Sequence, residues 1–186
     1  MQPQRLNRLR DGIASGQGVL FIGPGFGRRS DAIQIDPIIE TLVEDAIETT
    51  GWEALEQNER FMLLNEEFGR ETMIDRLCES LPTYEALAPE VSDFDRKLLG
   101  LPFPMVVDAN LHDLSLAALT AIDAVVCPLN VDEDTVTRSE PLDGERIFVN
   151  LRDDLQLGSA AITLDQLRIR AQENPGLFGL IKSHAA

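Results

Sequence analysis

The sequence has only two cysteines, Cys78 and Cys127, and their arrangement excludes two classes of small protein. They lie far apart in apolar contexts, so there is no Cys-x-x-Cys pair from which a structural zinc module could be built. They also give no support to the disulfide framework of a small secreted domain. We therefore expect no bound metal ion.

Basic residues are the scarcer charged class. The chain has 16 Lys and Arg residues against 32 Asp and Glu residues, which gives a net charge of −16. Nucleic acids and anionic membranes attract proteins through clustered Lys and Arg side chains. We therefore expect neither nucleic acid nor a membrane as a partner, and the composition is typical of a well-solvated acidic protein.

Long apolar runs are also missing. No run approaches the roughly 20 residues needed to span a bilayer. The polar start MQPQRLNRLR is not followed by the apolar segment of a signal peptide. The sequence thus predicts a soluble, cytoplasmic protein. Its 186 residues, 44% of them hydrophobic, suit a single domain over residues 1–186.

Four short apolar runs predict strands that are buried on both faces. They are VLFI at 19–22, FPMVVDAN at 103–110, AVVCPL at 124–129 and RIFVNL at 146–151. Helical patterns lie between them and at both ends of the chain. Strands that alternate with helices predict an α/β fold, with a Rossmann-like, mainly parallel sheet and helices on both faces.

The helical patterns are longest between the first two strands. Three helices in a row are predicted there, as a helical insertion at about residues 52–100, and Pro89 interrupts the third. Elsewhere, helices are predicted around Leu6, Leu9 and Ile13, from Asp36 onward, after residue 110, and up to Asn174, with a short final helix after Pro175.

The turn GPGFG at 23–27 follows the first strand and has two interpretations. A glycine turn after a strand leaves backbone amides facing a possible anion, which makes Gly23, Gly25, Phe26 and Gly27 candidates for cofactor binding. However, the turn lacks the third glycine of G-x-G-x-x-G, and Pro24 removes one amide donor. A purely structural turn therefore remains the alternative.

The stretch VVDANLHD places polar residues at the carboxyl end of the second strand, where open α/β sheets bind ligands. Asn110 has the chemistry to hydrogen-bond a ribose or an amide, and His112 would be a proton acceptor if it faced the crevice. In the alternative interpretation, Asp108 or Asn110 caps the following helix and His112 is a solvated first-turn residue.

The order of these features resembles the sirtuin-like domains that act as NAD hydrolases in bacterial anti-phage defence. That family has a glycine turn after the first strand, then an asparagine motif, a histidine motif and a threonine–acidic motif that opens a helix. The matching segments here are GPGFG, DANLHD, NLRDD and ITLDQLR, over residues 5 to about 183. The resemblance implies that Asn110 is the residue that positions NAD.

Several motif positions depart from the family, and the resemblance therefore implies lost catalysis. Arg152 stands where the family has its histidine base, and arginine does not release its proton at ordinary pH. The other departures are Asp153 for a glycine, Asp108-Ala109 for a threonine pair and Gly27 for a serine. We accordingly expect a pseudoenzyme that binds NAD or ADP-ribose, with Asp108, Asn110 and Arg152 among the binding residues. Arg152 would grip a diphosphate or carboxylate bidentately.

Two other functions remain open at this point. The first is an active NAD glycohydrolase that uses Asn110 with His112 as a surrogate base. The second is a scaffold without a ligand. For Arg152 itself, the alternative to binding a ligand is a pair with Asp153 or Asp154 on the surface. Protein deacylation is not expected, because the family's deacylases carry a four-cysteine zinc module that this chain cannot form.

The resemblance also bears on partners. Relatives usually continue with a further strand, so we expect a domain truncated at its C-terminal edge. An uncovered sheet edge needs protection. A protein partner or self-association into a homo-oligomer would supply it, within a defence or signalling assembly.

Overall fold

Four parallel strands form one sheet in the computed structural model, which describes residues 3–23, 26–27, 39–42, 54–130, 144–152, 161 and 163–185. The strands are β1 (Val19–Ile22), β2 (Met105–Asp108), β3 (Val125–Asn130) and β4 (Glu145–Asn150), in the spatial order β1-β2-β4-β3. Their ends differ from the predicted runs by at most two residues. The α/β Rossmann-like fold is confirmed.

Eight α-helices and one 3-10 turn have defined bounds in the described part of the chain. They are α1 (Pro3–Ala14), α2 (Gln57–Phe68), α3 (Arg70–Ser80), α4 (Tyr84–Leu87), a 3-10 turn (Ala88–Glu90), α5 (Asp93–Leu99), α6 (Leu114–Thr120), α7 (Leu164–Glu173) and α8 (Pro175–Ala185). Residues 39–42 are also helical. The predicted start of that helix at Asp36 lies outside the described residues. None of the helices in the described ranges is both long and apolar enough to cross a bilayer.

The insertion between β1 and β2 is helical throughout its described part, as predicted. Pro89 lies in the 3-10 turn that separates α4 from α5, because proline has no amide hydrogen to continue a helix. Side-chain caps begin the two flanking helices: the Thr83 hydroxyl accepts from the Ala86 amide, and the Ser92 hydroxyl accepts from the Asp95 amide.

Side chains of the strands alternate between two apolar cores, one on each face of the sheet. Val106 and Phe148 point to the face that is covered by α4, α5 and α6. Val107 and Val149 point to the opposite face, which is covered by α8. A separate cluster joins α2 and α3 to the helical residues 39–42. The helices thus cover both faces of the sheet.

The final helix is longer than predicted. The sequence suggests a short element after Pro175, but α8 has 11 residues and exceeds α7 in length. Its buried residues Leu177, Leu180 and Ile181 have helical spacing and pack on the sheet. The contacts with the sheet stabilise the helix to its end, and they cannot be read from the sequence of the helix alone.

Helices that follow β2 and β4 in the sequence lie on opposite faces of the sheet. From β2, residues 109–113 lead to α6 on one face, and α8, the second helix after β4, packs on the other face. The two strands are neighbours in the sheet. Open α/β sheets usually bind ligands at the carboxyl ends of their strands, between two neighbours that are followed by helices on opposite faces.

Candidate functional site

Asp108 ends β2 and holds the side chain of Asn110 in place. Its Oδ1 accepts hydrogen bonds from both the backbone amide and the side-chain Nδ2 of Asn110, each at 2.8 Å. Its Oδ2 accepts a hydrogen bond from the Ser115 hydroxyl on α6. All three residues are buried. The carboxylate therefore fixes the orientation of the Asn110 amide.

The amide oxygen of Asn110 accepts no hydrogen bond from the residues that the structure describes. Because Nδ2 is directed to Asp108, Oδ1 points away from that carboxylate, and it is buried with no hydrogen-bond partner among the described residues. Asn110 itself is only 3% exposed. A buried acceptor without a donor costs free energy, and such atoms are rare in folded proteins. A hydroxyl or N–H group of a ligand would satisfy it.

His112 is buried rather than solvated. Its side chain is 6% exposed, and burial lowers its pKa from 6.5 to about 4. The ring nitrogen Nδ1 accepts from the Leu114 amide at 3.4 Å, so the hydrogen of the neutral ring lies on Nε2. The N-cap residue of α6 is Asp113, and neither Asp108 nor Asn110 serves as that cap. Both parts of the alternative interpretation of this stretch are therefore wrong.

Arg152 lies beside Asn110 and binds backbone carbonyl groups. Its Nε donates to the Ala109 oxygen at 2.6 Å and its Nη1 donates to the Ala161 oxygen at 3.0 Å. Its own carbonyl accepts from the Ala161 amide at 2.7 Å. Burial lowers the pKa of Arg152, and the charge of Asp108 opposes that shift. The side chain thus ties the end of β2 to the segment that follows β4.

The glycine turn reaches the same end of the sheet. The Phe26 amide donates to the Gly23 carbonyl at 2.8 Å and closes the turn. Gly27 has a φ of +79°, and a Cβ atom placed there would collide with Cδ2 of Leu114 at the start of α6. The turn after β1 therefore packs directly against the helix that follows Asn110. Gly25 and Pro24 lie outside the described residues, as do Asp153 and Asp154.

The structure therefore brings together most of the predicted site residues that it describes, and it adds two more. Ser115 and Ala161 complete the hydrogen bonds of Asp108 and Arg152. Ser115 carried a signal in the sequence, since it is the only polar residue within the apolar segment LSLAAL, seven positions after Asp108. Ala161 carried none, because it contributes only backbone atoms.

The charge state of Asp108 offers a test of its burial. Burial raises its pKa from 3.8 to about 6, against the hydrogen bonds from Ser115 and Asn110, which lower it. Between pH 4 and pH 6, the folded protein thus retains a proton on Asp108 that the unfolded chain releases. The contribution of this group to stability is therefore present below pH 4 and is lost as pH rises through 6. We expect Asp108→Asn to be more stable than the wild type by about 2 to 3 kcal/mol at pH 7, and equally stable at pH 4.

Urea unfolding of both proteins at pH 4, 5, 6 and 7 measures this difference. Asp11→Asn is the control, because it makes the same substitution at an exposed carboxylate on α1. A constant difference between Asp108→Asn and the wild type across this range would mean that Asp108 has an ordinary pKa.

The site offers an oriented amide oxygen, a buried carboxylate and a guanidinium group. In the described part of the chain, no three His, Cys, Asp or Glu residues are grouped so that they could hold a metal ion. Comparison of the sequence with models of known protein families gave no match, and a search of curated proteins also gave none. The sirtuin-like resemblance therefore stays a hypothesis, to be tested through the site itself.

Proposed function

We propose that this protein binds NAD or ADP-ribose without hydrolysing it, as a catalytically impaired, sirtuin-like domain. The observation that carries the proposal is the buried Oδ1 of Asn110, which has no hydrogen-bond partner among the described residues and follows the carboxyl end of β2, the strand that pairs with β4. A ribose hydroxyl is the type of donor that this acceptor lacks. The glycine turn that packs against α6 adds a second segment at the same edge.

The residues of the site fit one part of a bound dinucleotide, a ribose. Asn110 would hold a ribose, and Asp108 with Ser115 would keep the amide oriented toward it. NAD, when bound, supplies the nicotinamide–ribose bond that hydrolases of this type cleave. The proposal needs no residue of this chain to act on that bond.

We expect no hydrolysis because neither His112 nor Arg152 can readily accept a proton. A base with a pKa of about 4 is weak at neutral pH, and Nδ1 of His112 already accepts a hydrogen bond. The guanidinium of Arg152 stays protonated and donates to two backbone carbonyls. Neither group suits the role of the family's histidine.

Calorimetric titration with ADP-ribose tests the binding site. We expect Asn110→Ala to raise the Kd about tenfold, as for the loss of one buried hydrogen bond. Asn65→Ala is a matched control, because the Oδ1 of Asn65 is also buried without a hydrogen-bond partner among the described residues, but Asn65 lies on α2. It should leave the Kd unchanged. Wild-type protein that shows no heat of binding and no thermal shift would contradict the proposal and leave the scaffold function.

Incubation with NAD, followed by chromatography of nicotinamide, tests the lack of catalysis. We expect release at the rate of the buffer alone. Turnover that disappears in Asn110→Ala and in His112→Ala, but persists in Arg152→Ala, would instead establish the NAD glycohydrolase.

A further inference from the structure

Helix α1 is amphipathic but buries none of its described side chains. From Arg5 to Ala14 every residue is exposed or half-buried, and Leu6 and Leu9 are 47% and 54% exposed. These two residues and the half-buried Ile13 form one apolar stripe by their spacing of three and four. An isolated helix of 12 residues is marginal in water, so most of its stability must come from packing.

The charges beside this stripe are opposite to those of the whole protein. Arg5 and Arg10 flank the stripe, and Arg8 lies further round the helix, whereas Asp11 is the one acidic residue of α1. Arg10 pairs with Asp11 at 3.0 Å, but both side chains are largely exposed, which makes the pair weak. In a chain with a net charge of −16, α1 is thus a local basic surface suited to an acidic partner.

Helix α2 carries an exposed apolar residue beside charges opposite to those of α1. Leu63 is 38% exposed on its outer face, and the exposed carboxylates of Glu66 and Glu67 lie one turn further on. Glu59, one turn before Leu63, is also exposed, but its carboxylate accepts from the Glu56 amide in the capping box. Leu63, Glu66 and Glu67 are called the α2 patch below.

We propose that α1 of one copy packs on the α2 patch of a second copy of this chain. Leu6 and Leu9 would cover Leu63, while Arg5 and Arg10 would face Glu66 and Glu67. Each copy carries both surfaces, so the contact can occur twice in a symmetric dimer. The interaction is independent of any ligand at Asn110.

A second copy fits α1 better than an anionic membrane does. Helices that lie on membranes usually bury aromatic side chains, and α1 has none. The net negative charge of the rest of the chain would also be repelled by anionic lipids. Because a helix of 12 residues is only about 18 Å long, the contact is small and the dimer should dissociate readily.

A charge-exchange experiment tests the contact. By analytical ultracentrifugation from about 10 to 500 µM, the mass of the wild type should rise from that of a monomer towards that of a dimer, less steeply at high salt. R5E/R10E places acidic α1 against an acidic α2 patch, and E66R/E67R makes both surfaces basic. Each variant alone should have a dimer Kd raised about tenfold or more. An equimolar mixture of the two should associate again, because each α1 then meets an opposite charge.

The control variant is D75R/E79R, which makes the same change in charge as E66R/E67R, but at exposed positions of α3. It should dimerise like the wild type. All substituted residues are exposed, and circular dichroism with thermal unfolding verifies that each variant is folded. A wild type that remains monomeric throughout the concentration range would overturn the proposal, as would R5E/R10E and E66R/E67R proteins that each dimerise as tightly as the wild type. Binding of α1 to anionic vesicles, lost in R5E/R10E while the protein stays monomeric, would assign the helix to a membrane instead.

Discussion

Replacement of Arg152 by alanine should lower the free energy of unfolding by about 4 kcal/mol. The side chain donates to the carbonyls of Ala109 and Ala161, which belong to segments that are far apart in sequence. Without it, two acceptors lose a charged donor, and the buried carboxylate of Asp108 loses a nearby positive charge. Urea unfolding monitored by circular dichroism at pH 7 measures the loss.

Two comparisons give this result its meaning. Arg168→Ala removes an exposed arginine whose pair with Asp165 spans 3.1 Å, and we expect it to cost less than about 0.5 kcal/mol. In the background of Asp108→Asn, Arg152→Ala should cost at least about 1 kcal/mol less than in the wild type, because the charge of Asp108 is gone. If Arg152→Ala left stability unchanged but abolished ADP-ribose binding, Arg152 would be a ligand-gripping residue and not a structural tie.

Replacement of Gly27 by serine, the residue that the sirtuin-like motif has there, should cost about 3 to 4 kcal/mol. A φ of +79° strains any residue with a Cβ atom, and the added atom would collide with Leu114. Leu114 is fully buried at the start of α6 and has little room to move. The glycine at this position therefore has a packing reason.

Gly144→Ser separates the two causes. Gly144 has nearly the same φ, +81°, but no atom lies within 4 Å of the position that a Cβ would occupy. This variant should lose only the cost of the backbone conformation, about 1 to 2 kcal/mol. Equal losses for the two variants in urea unfolding would mean that contact with Leu114 has no energetic importance.

The strands could be predicted from the sequence because each is a short run of aliphatic residues between polar turns. The order of the strands could not be predicted in this way. The order depends on which strands pair with each other, and β4 pairs with β2 although the two are about forty residues apart in the sequence. The length of α8 was underestimated for the same reason, since its packing partners lie in distant strands.

The site could be predicted in its location more than in its contacts. Parallel strands bring their carboxyl ends to one edge, so Asn110 and the glycine turn were expected near each other. The burial of His112 could not be predicted, because it depends on how the chain enters α6. Nor could the hydrogen bonds of Arg152, which join backbone atoms 43 and 9 residues away in the sequence.

The position of β4 between β2 and β3 has a consequence for synthesis of the protein. As the chain emerges from the ribosome, β1 and β2 can pair, but β3 has no neighbour among the described strands until residues 145–150 follow it. Nascent chains that stop before this point would leave the apolar flanks of β2 and β3 exposed to chaperones and to aggregation. The described sheet can thus be completed only when β4 has left the exit tunnel.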